Sequence, residues 1–154
     1  MAPLVDTVLE IDTPEHLAFR TRIAGPAAAG IPVTMRGVAS GVSIVTAHQD
    51  PNNDRQLDWT ALANTGTTLV ILMGAARARS IADRLIAGGM RADMPVAVVT
   101  NATCPDECIQ RLTIDRLGDE PVANPSVIVV GEVAARDVLR DVPVLASLVE
   151  GVPS

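Results

Sequence analysis

Aromatic side chains are nearly absent from this 154-residue chain, which holds one Trp, one Phe and no Tyr. A surface that stacks nucleic-acid bases on rings is therefore excluded. The core must be built from Val, Ile, Leu and Ala, which suits an α/β sheet. Cysteine is equally scarce: Cys104 and Cys108 alone make no disulfide framework. Positive charge is in deficit. The formal net charge is −6, the wrong sign for a phosphate-binding surface. Local basic groups do occur at Arg20, Arg22 and Arg36, and at Arg77 and Arg79. They read as solvated helix or loop charges. No run approaches the ~20 apolar residues that span a bilayer. The first residues carry Asp6, Glu10 and Asp12 and no basic stretch, unlike a signal peptide. A cytoplasmic location, no nucleic-acid partner and no membrane are the expectations.

What is present is a 48% hydrophobic chain with 19% charged residues, the balance of one globular domain. Residues 3–11 partly alternate and read as a strand. Thr13, Pro14 and Glu15 form a helix start, and Pro26 is placed to interrupt that helix. Residues 31–42 read as an ordered loop, 43–47 as a short strand and 48–56 as a polar loop. Asp58 is expected to cap a short helix holding Trp59 and Leu62. The apolar run 67–73 predicts a central strand buried on both faces. A helix is expected over 80–87, with Ser80 as its N-cap and Asp83 three residues on. Gly88 and Gly89 should end it. Strands are expected at 95–100, 108–114 and 126–130, with a last short helix near 134–140. Strands alternating with helices predict βαβ units and parallel pairs. The short step to 108–114 adds an antiparallel strand. The predicted fold is α/β, a mixed but mostly parallel sheet flanked by helices.

Most catalytic signatures are missing. There is no Gly-x-Gly-x-x-Gly after a strand and no phosphate-binding P-loop. A nucleophile elbow is also lacking. His16 and His48 are the only histidines. With the C-x₃-C pair they make no recognisable zinc signature, so no metal is expected. What remains is a set of strand ends followed by small residues: Leu72-Met73-Gly74-Ala75, Thr100-Asn101-Ala102-Thr103 and Val130-Gly131-Glu132. Ligands of open α/β sheets bind beyond strand carboxyl ends. Small residues there let a ligand ring reach main-chain groups.

Several strings resemble the C-terminal half of uroporphyrinogen III C-methyltransferases. They are residues 25–40, around Ile31-Pro32-Val33-Thr34-Met35-Arg36-Gly37-Val38; 68–74; 85–89; 93–99; and 124–133, around Asn124-Pro125-Ser126-Val127-Ile128-Val129. They keep the family's order and spacing over about residues 23–138. The resemblance implies a tetrapyrrole methylase domain at 23–140, preceded by a divergent segment 1–22 and followed by a tail 141–154. It implies transfer of methyl groups from S-adenosylmethionine to uroporphyrinogen III, giving precorrin-2 for sirohaem and cobalamin. S-adenosylhomocysteine would be the product of the cofactor. The cofactor contacts implied within this half fall on Met73 and Ala102; the latter stands where the family often has Gly.

The family's glycine-rich first loop and its proposed acid–base residues have no counterpart in this sequence, so no catalytic residue is assigned. Before Ile23 nothing is carried over. Met35 also stands where the family usually has His. Three expectations result: a truncated or half enzyme whose N-terminal half lies elsewhere, an inactive fragment, or a non-catalytic binding or dimerisation module. A tetrapyrrole substrate and a homodimer, or association with the missing half, are the expected partners.

Overall fold

The computed structural model describes residues 26, 29–47 and 57–138. The expected strand at 3–11, the helix start at Thr13 and the loop 48–56 lie outside them. Five strands form one sheet: β1 (Val42–Thr46), β2 (Thr68–Leu72), β3 (Pro95–Thr100), β4 (Cys108–Thr113) and β5 (Ser126–Val130), in the order β1-β2-β5-β3-β4. Two helices that lie wholly within the described residues are α1 (Trp59–Ala63) and α2 (Ala78–Ala87). None among the described residues is long and apolar enough to cross a membrane.

Burial follows the apolar patterning. All five residues of β5 are buried, as are four of β2 and four of β3. These three runs of β-branched residues and leucines occupy the middle of the sheet. The edge strands β1 and β4 alternate or are mostly exposed. Leu69, Ile71, Ile128, Val96 and Val98 point to one face, where Ile81, Leu85 and Trp59 of the helices cover them. Val70, Val127, Val129, Ala97 and Val99 point to the other, where Ala29, Ile31, Val133 and Ala134 lie. Each fully buried Leu or Ile contributes about 1.5–3 kcal/mol relative to exposure.

The sheet is mixed, as expected, but the pairing corrects one expectation. β1, β2 and β3 share a direction, yet only the β1–β2 ladder is parallel. β5 inserts antiparallel between β2 and β3, and β4 pairs antiparallel with β3. Three of the four ladders are therefore antiparallel. Sequence order suggests that β2 and β3 are neighbours, but the last strand separates them.

The helix start also differs. Ser80 lies inside α2, not at its cap. A 3₁₀ turn (Ala75–Arg77) runs straight into the helix, and Arg77 N–H already donates to Gly74 C=O at 2.9 Å. A hydroxyl cap is not needed there. Asp83 pairs instead with Arg79 Nε at 3.1 Å, an exposed contact worth under about 1 kcal/mol. The other end is as expected. Gly89 has φ +106, and Met90 N–H reaches back to Leu85 C=O at 3.0 Å, which satisfies a terminal carbonyl. Asp58 caps α1 by accepting from Ala61 N–H at 2.9 Å. Near the end of the described chain a 3₁₀ turn spans Glu132–Ala135 and Val138 is helical; the rest of the helix expected near 134–140 lies outside the described residues. Trp59 is 7% exposed, and its indole N–H is buried without a partner among the described residues.

Gly118 fixes how close α2 comes to the following loop. Its φ is +87, and an added Cβ would lie 2.5 Å from the backbone N of Arg79. Gly118→Ala should cost about 2–4 kcal/mol, combining left-handed strain with overpacking. A urea-unfolding midpoint that falls by less than a quarter of that energy would contradict the packing described.

Candidate functional site

Because β1, β2 and β3 run together, their carboxyl ends meet at one edge of the sheet. β5 begins there, with Leu72 opposite Val127 and Thr100 opposite Ser126. Met73 and Asn101 therefore leave β2 and β3 on either side of the β5 start. Two strand spacings separate them, roughly 10 Å. The third strand end, Val130-Gly131-Glu132, is not part of this cluster. The antiparallel course of β5 carries it to the opposite edge, where Gly131 lies beside Thr68. A cavity of ≈ 140 Å³ opens there, lined by both residues, and the Thr68 hydroxyl is buried without a partner among the described residues.

Backbone conformation sets the first edge apart. Met73 (φ +54), Asn101 (φ +50) and Thr103 (φ +69) are the described non-glycine residues in the left-handed region. All three sit at this edge. Asn tolerates that region, whereas Met and β-branched Thr lose roughly 1–2 kcal/mol each. Strain of this kind concentrates where a site demands it. Its local cause on β2 is visible. The apolar run reads through to Met73, but the strand stops at Leu72. Gly74 must pass close under α2, since a Cβ there would lie 2.9 Å from Ile81 Cδ1. Met73 turns to allow this and leaves its side chain 39% exposed.

On β3 the edge is tied down. Thr100 Oγ1 and Ser126 Oγ share a hydrogen bond of 2.7 Å, and Asn101 N–H donates to Pro125 C=O at 3.1 Å. Two turns come next. Cys104 N–H donates to Asn101 C=O, and Glu107 N–H donates to Cys104 C=O, both at 3.0 Å. The first has the left-handed third position of a type II turn, a place usually taken by Gly or Asn. Two carboxylates bind the same loop: Asn101 Nδ2 donates to Asp106 Oδ2 and Thr103 N–H donates to Glu107 Oε2, each at 2.7 Å. Ala102 is fully buried among Val99, Val127 and their neighbours. Among the described residues, neither the N–H nor the C=O of Met73 is hydrogen-bonded, and nor is the N–H of Ala102.

The edge thus joins Met73 and Ala102, the two residues singled out from the sequence. Asn101 and Thr103 were legible there only as small or polar residues; their conformation was not. Nothing in the sequence singles out Asp106 and Glu107, and only their reach back across four or five residues reveals a role. Cys104 and Cys108 are free thiols. Arg36 is exposed at the tip of the Met35–Ala39 turn, with no ion pair among the described residues. A further cavity of ≈ 370 Å³ lies between β4 and Pro121–Ala123, lined by Val98, Thr100, Cys108 and Gln110.

The fold is a mixed sheet in which β5 starts between two co-directional strand ends, and the sequence matches a known class. Residues 23–118 match the tetrapyrrole (corrin/porphyrin) methylases, and the chain belongs to that family. Among its relatives are two uroporphyrinogen-III C-methyltransferases. That of Pseudomonas aeruginosa is 43% identical over 76% of this chain and 48% of its own length. That of Pseudomonas fluorescens is 39% identical over 81% and 51%. A solved uroporphyrin-III C-methyl transferase of Thermus thermophilus, complexed with S-adenyl homocysteine, superimposes with TM-score 0.61 at 30% identity. The match covers 69% of this chain and 48% of that one. Cobalt precorrin-4 methyltransferase, a cobalamin biosynthetic enzyme, gives 0.65 at 25% identity over 73% and 49%. The chain spans about half the length of the curated uroporphyrinogen-III C-methyltransferases it matches.

Met73→Val puts a β-branched side chain at φ +54 and should cost about 1–2 kcal/mol in urea unfolding. Met73→Gly should leave stability equal or higher. Equal loss in both variants would mean that Met73 contributes through packing and that its backbone is relaxed.

Proposed function

We propose that this chain forms the cofactor-holding half of an S-adenosylmethionine-dependent uroporphyrinogen III C-methyltransferase, serving sirohaem or cobalamin synthesis. One observation carries the reading: Met73 and Ala102 follow two co-directional strands on either side of the start of β5, and the main-chain N–H and C=O of Met73 make no hydrogen bond among the described residues. A heteroaromatic ring with an exocyclic amine and ring nitrogens would find a donor and an acceptor on the Met73 main chain. Met73 is 39% exposed, so a flat ring could lie against it. The residues present thus fit the adenosine end of such a cofactor. The likeness to a structure complexed with S-adenyl homocysteine supports the same reading.

When bound, S-adenosylmethionine supplies an electrophilic methyl group on sulfur for transfer to a nucleophilic ring carbon. This chain's residues bind and orient. The open main-chain groups of Met73 fix the adenosine, and the half-exposed Met73 thioether offers a soft, polarisable contact beside it. Orientation is the protein's chief contribution in such transfers. The substrate is a polycarboxylate, and Arg36 is a cation available to it. No acid or base among the described residues is assigned to the chemistry.

The same proposal places the domain at 23–140, between a divergent 1–22 and a tail 141–154. The family match starting at residue 23 supports the first boundary. A homodimer, or association with a polypeptide equivalent to the other half of the relatives, completes the molecule in the cytoplasm. A second reading, a non-catalytic binding or dimerisation module, draws on Val42 and Ile44. These side chains are 39% and 59% exposed on the same face of β1, and exposed apolar groups favour association.

Calorimetric titration with S-adenosylhomocysteine tests the first reading. A Kd near or below ~100 μM, about −5.5 kcal/mol, is expected. Absence of binding at millimolar ligand would leave the module reading. Sedimentation should find dimers or larger species; a stable monomer at high concentration would count against association through β1.

A further inference from the structure

The loop that carries Ala102 has two left-handed non-glycine residues, one on each side of it. Such a segment should relax toward ordinary conformations unless something holds it. Its backbone turns do not suffice, because the hydrogen bonds from Cys104 and Glu107 N–H leave the Thr103 amide unused. Two side chains supply the remaining restraint. Glu107 Oε2 accepts from that Thr103 N–H, and Asp106 Oδ2 accepts from the Asn101 side-chain amide. Both acids come from the far side of the loop, just before β4. Glu107 is partly buried, whereas Asp106 is exposed. One carboxylate therefore anchors each left-handed residue, and Ala102 is fixed between them.

We infer that Asp106 and Glu107 are positioning residues that lock the β3–β4 loop around Ala102, without ligand, in the conformation that shapes this end of the candidate site. The inference rests on the cofactor reading above for its purpose, but not for its geometry. A locked loop has little freedom left to lose on binding, so affinity is retained that a loose loop would forfeit. The required property is an acceptor oxygen at each position, not a negative charge. That requirement separates positioning from electrostatic attraction, since an amide can accept both bonds.

The test uses the whole chain with Glu107→Ala, Glu107→Gln, Asp106→Ala and Asp106→Asn. Amide hydrogen exchange at Thr103 is read without ligand, and S-adenosylhomocysteine affinity by calorimetry. Glu107→Ala should speed Thr103 exchange at least about tenfold and weaken binding by a similar factor. The unfolding midpoint should hardly move. Glu107→Gln should restore both readouts to within about twofold of the parent. Asp106→Ala and Asp106→Asn should show the same contrast in affinity. Unchanged exchange and affinity in both alanine variants would overturn the inference. So would a glutamine variant as impaired as the alanine one, since charge would then be the operative property. If the parent chain binds nothing while the exchange pattern appears as expected, the cofactor reading fails and the lock stands.

Discussion

The antiparallel insertion of β5 between β2 and β3 is the constraint on which the other features depend. Ser126–Val130 is buried at every residue and hydrogen-bonded on both sides. A strand in that position cannot be exposed, shortened or slipped by one residue without turning Ile128 and Val129 to the wrong faces. Its direction matters as much as its burial. Running against its neighbours, β5 brings its start to the edge where they end. Met73 and Asn101 stand two strand spacings apart there, on either side of Ser126 and Val127. Had β2 and β3 been adjacent, Met73 and Ala102 would stand one spacing apart, with little room for a ring between them.

Around that edge, conformational strain is balanced by specific contacts. Met73 turns because Gly74 must slip beneath Ile81. Thr103 turns because its amide is held by a carboxylate. The first restraint is steric and comes from the helical layer; the second is polar and local. The two strand ends are thus fixed by independent means. Disturbing α2 should affect one strand end without loosening the other. The energy involved, a few kcal/mol, is a large share of what a small domain has in total.

Burial was legible in the sequence, and neighbour relations were not. The apolar runs of β3 and β5 begin and end where the strands do, because a strand buried on both faces needs apolar residues on each. Nothing in those runs says which strand lies beside which. A run of valines and isoleucines pairs equally well with any similar run, and pairing is decided only by the complete fold. Ser80 shows a different limit. Its side chain has the right chemistry for a cap, but the preceding 3₁₀ turn had already supplied the partners. Met73 and Ala102 were found through family resemblance, and the structure brings them to one edge. The left-handed angles around them depend on contacts with Ile81 and Glu107, distant or non-periodic in sequence, to which periodicity is blind.

Trp59 gives the molecule an internal reporter. It is the chain's lone tryptophan, seated in α1 with its indole N–H in apolar surroundings and no acceptor among the described residues. Its emission should be shifted to short wavelength and should respond when the helical layer separates from the sheet. The candidate site lies at a strand edge outside the cluster that Trp59 joins. Light from this one ring therefore tracks the integrity of the layer that holds Gly74 in place, and stays silent about the loop on the other side of the β5 start.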